Sequence, residues 1–217
     1  MNIAMFGPQG SGKGTQSELL SAKFKIPTVS AGALYRGNIK RKTKLGKLAE
    51  KFTSKGVLGP NYLTNNMIKE ELTKSKYKRG VILDGYPRNL NQAKFLDKLR
   101  DIDYAILINI NQQVTIKRLS GRRVCSKCGQ TYHIITKKPK EKNICNKCGS
   151  PLRQRADDYP KAIKQRLAVY RQETKPILNY YKKQGKLIKV NGEAQINVVF
   201  EKVFKALNKK ILANRKK

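Results

Sequence analysis

The chain has 217 residues, with 48 Lys and Arg against 14 Asp and Glu, for a formal charge of +34. Hydrophobic residues make up 39%, which excludes an intrinsically disordered chain, and no apolar run approaches the roughly 20 residues that span a bilayer. One domain with insertions fits the length.

The N-terminal stretch Met1 to Phe6 is apolar but lacks a basic flank and runs directly into glycines. It reads as a buried strand rather than a secretory signal, and a cytoplasmic protein is expected. Gly12 to Phe24 follows as a helix. Val81-Ile82-Leu83 is a second buried strand, ending at Asp84. Leu90 to Arg100 is a helix, with Leu90, Ala93, Leu96 and Leu99 at helical spacing. Tyr104 to Ile110 is a third strand and Gln112 to Ser120 a further helix. Lys161 to Gln184 reads as one long helix, interrupted or kinked near Pro176. Leu187 to Val190 is a late strand. The tail carries a helical stripe of Ile196, Val199, Phe200, Val203, Phe204, Leu207 and Ile211. Alternation of this kind predicts an α/β fold, a parallel sheet with helices on both faces and ligands at the carboxyl ends of the strands. Two segments break the rhythm and read as insertions: Ser30 to Gly59, mostly helical, and Arg122 to Asp158, which holds every cysteine.

Gly7-Pro8-Gln9-Gly10-Ser11-Gly12-Lys13-Gly14-Thr15 lies between the first strand and the first helix, the setting of a phosphate-binding P-loop. Glycines let backbone N–H groups converge on phosphate oxygens, and the helix N-terminus adds partial positive charge. Lys13 can reach the β- and γ-phosphates. Gly14 stands where Ser or Thr is usual, and Thr15 comes one later. Asp84, ending an apolar strand, is the candidate carboxylate directing Mg²⁺.

Cys125-Ser126-Lys127-Cys128-Gly129 recurs as Cys145-Asn146-Lys147-Cys148-Gly149. Paired C-x-x-C-G knuckles in a cytosolic setting match a structural zinc site more closely than disulfides. Four thiolates leave no open coordination position; iron is the alternative occupant.

These motifs resemble the adenylate kinase family over essentially the whole chain, in the longer form whose lid holds zinc. The resemblance rests on Gly12-Lys13-Gly14-Thr15-Gln16, on Asp84-Gly85-Tyr86-Pro87-Arg88 with Gln92, on Gly121-Arg122-Arg123-Val124, and on Arg155-Ala156-Asp157-Asp158 with Arg166. It implies a P-loop NTPase fold with a five-stranded parallel sheet. Residues 1–29, 60–121 and 159–217 would be the core, 30–59 an AMP-binding domain and 122–158 a zinc-bearing lid over ATP. Lys13, Arg88, Arg122, Arg155 and Arg166 would surround the transferred phosphoryl group. ATP would lie on Gly10, Ser11, Gly12, Lys13, Gly14 and Thr15, with Arg118, Arg122, Tyr132 and His133 nearby. AMP would meet Arg36, Gly85, Arg88, Gln92, Arg155 and Arg166. The implied reaction is ATP plus AMP to two ADP, with Mg²⁺ on the nucleotide, by a monomer that serves adenine-nucleotide balance. Ala31 and Ala33 depart from the family's usual Thr and Asp, which bears on Mg²⁺ geometry and acceptor selectivity. Two rivals differ in kind: the same fold with another monophosphate acceptor, or a nucleotide-switched zinc-ribbon protein binding nucleic acid. The scattered lysines favour a solvated basic surface over a nucleic-acid stripe, and no membrane partner is implied.

Overall fold

The computed structural model describes residues 1–53 and 59–215. Residues 54–58, within the insertion expected at 30–59, and residues 216–217, at the end of the expected core, lie outside the described residues. The chain runs β1 (Asn2–Phe6), α1 (Lys13–Phe24), β2 (Thr28–Ser30), α2 (Ala31–Lys40), α3 (Lys44–Thr53), α4 (Asn61–Leu72), β3 (Val81–Asp84), α5 (Leu90–Leu99), β4 (Tyr104–Asn109) and α6 (Gln112–Ser120). Three short strands follow, β5 (Arg122–Cys125), β6 (Thr131–His133) and β7 (Leu152–Arg153), and then α7 (Pro160–Val169), α8 (Ile177–Lys183), β8 (Leu187–Asn191) and α9 (Ile196–Arg215).

The main sheet has the order β2-β3-β1-β4-β8, and its neighbours pair in parallel. Side chains alternate across a strand, and β1 shows what that does here. Ala4 and Phe6 join a core with Val29, Leu83, Leu107, Ala93, Leu96 and Ile177 on one face. Ile3 and Met5 join Leu20, Ile82, Ile106, Val199, Val203 and Leu207 on the other. Burial on both faces explains why the central strands read as unbroken apolar runs.

The structure refines the expected elements in three places. A fifth strand, β2, escapes the hydrophobic pattern because Thr-Val-Ser is only three residues long and pairs on one side alone. Of the α5 stripe only Ala93 and Leu96 are buried; Leu90 and Leu99 are 41% and 38% exposed, so the stripe narrows at both ends of the helix. The expected long helix after Lys161 is two helices, α7 and α8, separated by a wide π turn at Tyr170–Thr174 just before Pro176. The turn places the Thr174 hydroxyl where it donates to the Arg88 carbonyl at 3.0 Å.

Two satellites sit on this core. α2, α3 and α4 gather Ala49, Leu63 and Met67 with Tyr35, Ile39, Leu45, Leu48 and Phe52. β6, β5 and β7 form a separate antiparallel sheet whose small core is Cys125, Tyr132, Cys145 and Leu152, with Cys148 against it.

Candidate active site

The loop from β1 into α1 closes tightly, with Ser11 N donating to Pro8 O at 3.2 Å. Gly12, the N-cap of α1, has φ +93, a conformation that glycine adopts without strain, and no side chain caps the helix. The first N–H groups of α1 are therefore free to meet an anion. Lys13 Nζ folds back over the loop, donating to Gly7 O at 2.7 Å and Pro8 O at 2.9 Å. Asp84, at the end of β3, stands beside the first turn of α1: a Cβ placed on Gly14 would be 3.5 Å from its Oδ2.

A cavity of about 1040 Å³ opens from this loop. It is lined by Gly10 to Thr15, Asp84, Gly85, Arg36, Arg88, Gln92, Arg118, Arg122, Tyr132, His133, Arg155 and Arg166, so every nucleotide-directed residue expected from sequence lies on it. A second cavity, of about 790 Å³, lies under the π turn and shares only Tyr170 with the first.

Positive charge dominates the larger cavity. Burial pushes the Lys13 ammonium down to about 8, Asp84 opposes this, and Arg88, Arg166 and Arg122 push it further down. Burial lowers Arg155 to about 9, and repulsion from Arg122 and Arg36 adds to that. Arg36, Arg88 and Arg166 are lowered too, chiefly by burial. Cations strained this way favour a polyanionic ligand, whose charge would relieve their desolvation. Several buried polar atoms that lack a protein partner among the described residues also belong to residues lining this cavity: Gln9 Oε1, Ser11 Oγ, Gln16 Oε1, His133 Nε2 and Arg155 Nε.

Asp158 organises two of these arginines. Its buried carboxylate accepts from Arg122 Nε at 2.7 Å and from Arg122 Nη2, and from Arg166 Nη1 at 3.1 Å. Arg166 also reaches Asp157 Oδ2 at 3.0 Å. Neither acid receives a role from the sequence pattern, although both stand in the Arg155-to-Asp158 motif. Asn61 is a second omission, with no local motif to betray it: its Oδ1 accepts from Asn89 Nδ2 at 2.8 Å and Gln92 Nε2 at 3.2 Å. Gln92 Oε1 in turn accepts from Arg88 N at 2.8 Å, which ties Gln92 to the turn carrying Arg88. Arg118 is pinned by the carbonyls of Gly192 and Glu193 at 2.8 and 3.0 Å. His133 Nδ1 accepts from Ile135 N and Thr136 N at 3.1 and 3.2 Å, which puts the proton of the neutral ring on Nε2. Tyr132 touches the cavity, but its hydroxyl turns the other way, into the cysteine cluster.

The four Sγ atoms of Cys125, Cys128, Cys145 and Cys148 lie within 4.8 Å of one another, and none is in a disulfide. Cys125 and Cys148 are 3.4 Å apart, Cys128 and Cys145 3.6 Å. Tetrahedral thiolates at about 2.3 Å from a zinc ion stand about 3.8 Å apart, so the donor set fits that ion. Gly129 and Gly149, with φ +75 and +68, take the left-handed turn that closes each knuckle.

A parallel sheet of this order, with a glycine loop at its first βα junction and a cation-lined cavity beyond the strand ends, defines a P-loop nucleotide-binding protein. Residues 5–186 match the adenylate kinase family, and the chain belongs to it. It is 44% identical to an adenylate kinase of Caldanaerobacter subterraneus subsp. tengcongensis over 95% of this chain and 96% of that one. It is 42% identical to the Oceanobacillus iheyensis adenylate kinase over 97% and 100%, and 43% identical to that of Clostridium acetobutylicum over 94% and 97%. No helix among the described residues is long and apolar enough to cross a membrane.

Proposed function

We propose that this protein transfers the terminal phosphoryl group of ATP reversibly to AMP, giving two ADP, as a cytoplasmic monomer that balances adenine nucleotides. The observation that carries this reading is the convergence of Lys13, Arg88, Arg122, Arg155 and Arg166 on one cavity that opens from the P-loop. Phosphoryl transfer spreads charge over several oxygens, so positioning and electrostatics supply most of the rate. The attacking AMP oxygen is already anionic, so no basic side chain is required.

In this reading the open N-terminus of α1 and Lys13 hold the β- and γ-phosphates of ATP. Gly10 to Thr15 wrap them, and Asp84 orients the water shell of the Mg²⁺ that accompanies the nucleotide. Arg118 lies flat against the ATP base, with His133 beside it from the lid. Arg36 and Arg88 grip the AMP phosphate beside Gly85, while Gln92, steadied by Asn61, reads the adenine edge. Arg122, Arg155 and Arg166 close over the phosphoryl group in flight, two of them aligned by Asp158. Water must be kept out, or ATP would be hydrolysed. Residues 30–59 and 122–158 are the natural covers, as AMP-binding domain and lid. A zinc ion on Cys125, Cys128, Cys145 and Cys148 would hold the second cover together, since it has little apolar mass of its own.

The test is phosphorus NMR of purified protein with MgATP and, separately, AMP, UMP, CMP and GMP. ADP from AMP, with little product from the others, is the expected result. Turnover only with another monophosphate would move the acceptor. No transfer to any acceptor would refute the proposal.

A further inference from the structure

Tyr132 is only 4% exposed, in a cluster otherwise made of cysteines and Leu152. Its ring could be replaced there by phenylalanine without loss of packing; its hydroxyl calls for a separate explanation, because a buried phenol O–H must find a partner or cost about 1–3 kcal/mol. The partners are specific. The oxygen accepts from Asn146 N at 2.8 Å and lies 3.4 Å from Cys145 Sγ. With the oxygen engaged by that N–H, its own proton is directed to the sulfur, and a thiolate accepts it. Asn146 is held from outside as well, its Oδ1 accepting from Lys140 N at 2.8 Å. Other groups that bond the sulfurs belong to the knuckle turns themselves: Cys128 N lies 3.4 Å from Cys125 Sγ, Lys147 and Cys148 N–H groups bond Cys145, and Ser150 bonds Cys148. Tyr132 instead reaches the second knuckle from a different element, β6, where it pairs with Arg123 on β5.

We infer that Tyr132 is a positioning residue of the four-thiolate metal centre, its hydroxyl fixing the Cys145–Asn146 turn and donating to the Cys145 thiolate. The inference rests on the metal reading given above. Partners of this kind hold ligands in orientation, and their removal weakens metal affinity by about 10–100-fold. One residue then has its ring on the nucleotide cavity and its hydroxyl on the metal loop.

The experiment compares the full-length wild type with Tyr132→Phe and Leu152→Ala, each loaded with zinc or with cobalt(II). Leu152 belongs to the same buried cluster, and its side chain carries no group that can bond a sulfur, so it controls for packing. Zinc release is followed with a chromophoric chelator, and the sulfur-to-cobalt charge-transfer band by absorption. Tyr132→Phe should release zinc about 10–100-fold faster, and its band should move to lower energy, because a thiolate that loses a hydrogen bond gives up its electrons more readily. Leu152→Ala should leave the band in place, whatever it does to the release rate. A wild type that takes up neither metal would overturn the metal reading itself. A metal-binding wild type matched by Tyr132→Phe in both measurements, or two variants that behave alike in both, would overturn the role of Tyr132.

Discussion

Lys13 should destabilise the ligand-free fold, and Lys13→Met should therefore raise stability while it abolishes phosphoryl transfer. Burial against three arginines lowers its ammonium from 10.5 to about 8. At about 1.4 kcal/mol per tenfold change in proton affinity, the charged lysine costs about 3 kcal/mol. Lys13 keeps some solvent contact, which screens part of this, and the variant loses the bonds to Gly7 O and Pro8 O, about 1 kcal/mol each where water can replace them. A net gain of about 1–2 kcal/mol remains, or about 2–8 °C in Tm for a chain of this size. The pH dependence follows from the lowered value. Below pH 8 the lysine is charged in both folded and unfolded chains, so the fold carries the full cost. Between about 8 and 10.5 the folded protein sheds the proton first, wild-type stability rises relative to the variant, and the difference closes. Calorimetry of both proteins without nucleotide at pH 7 and pH 9.5 tests this. A variant no more stable than wild type at pH 7, or a gain undiminished at pH 9.5, would refute the reasoning.

Arg88→Ala should lower kcat by about 10²-fold or more in a coupled assay with AMP, with circular dichroism unchanged, because it removes a preorganised donor. Asp158→Asn leaves Arg122 and Arg166 without their shared carboxylate; we expect a loss of about 1–3 kcal/mol in urea unfolding, below the full cost of an orphaned buried pair because both arginines can rehydrate from the cavity. Cys148→Ser should abolish stoichiometric metal on elemental analysis and give an early unfolding transition for the β5–β7 sheet, with the main sheet melting later. Ala33→Asp, which puts a carboxylate on the cavity wall, should lower the Mg²⁺ concentration for half-maximal rate by about 2–10-fold.

The parts of the fold that were legible in the sequence are those where one local signal suffices. β1, β3 and β4 are buried on both faces and show as apolar runs; α1 is announced by the glycines before it. β2 was illegible because an edge strand of three residues has no pattern to display. The division of the helix after Lys161 was half legible: Pro176 marks the neighbourhood, but the π turn ahead of it arises from packing that sets Thr174 against Arg88. The same distinction runs through the site. Lys13, Arg88, Arg122 and Arg155 sit in contiguous motifs, whereas Asn61 meets Gln92 across about 30 residues of chain and no spacing rule connects them. Tyr132 illustrates the limit of position alone. Its place beside His133 suggests a ring turned to a base; strand alternation sends its hydroxyl to the cysteines instead.

The main sheet ends on one side at the three residues of β2 and on the other at β8, whose exposed positions are Lys189 and Asn191. An open edge is a template on which another chain can add a strand, and a lysine at its middle makes such pairing unfavourable. Here the deterrent extends over the whole surface, since two molecules of charge +34 repel before their edges meet. That protection is electrostatic and acts over about 10 Å at 0.1 M salt. Colloidal solubility of this protein therefore depends on ionic strength, and concentrated salt or a polyanion that neutralises the lysines brings the β8 edges within reach of one another.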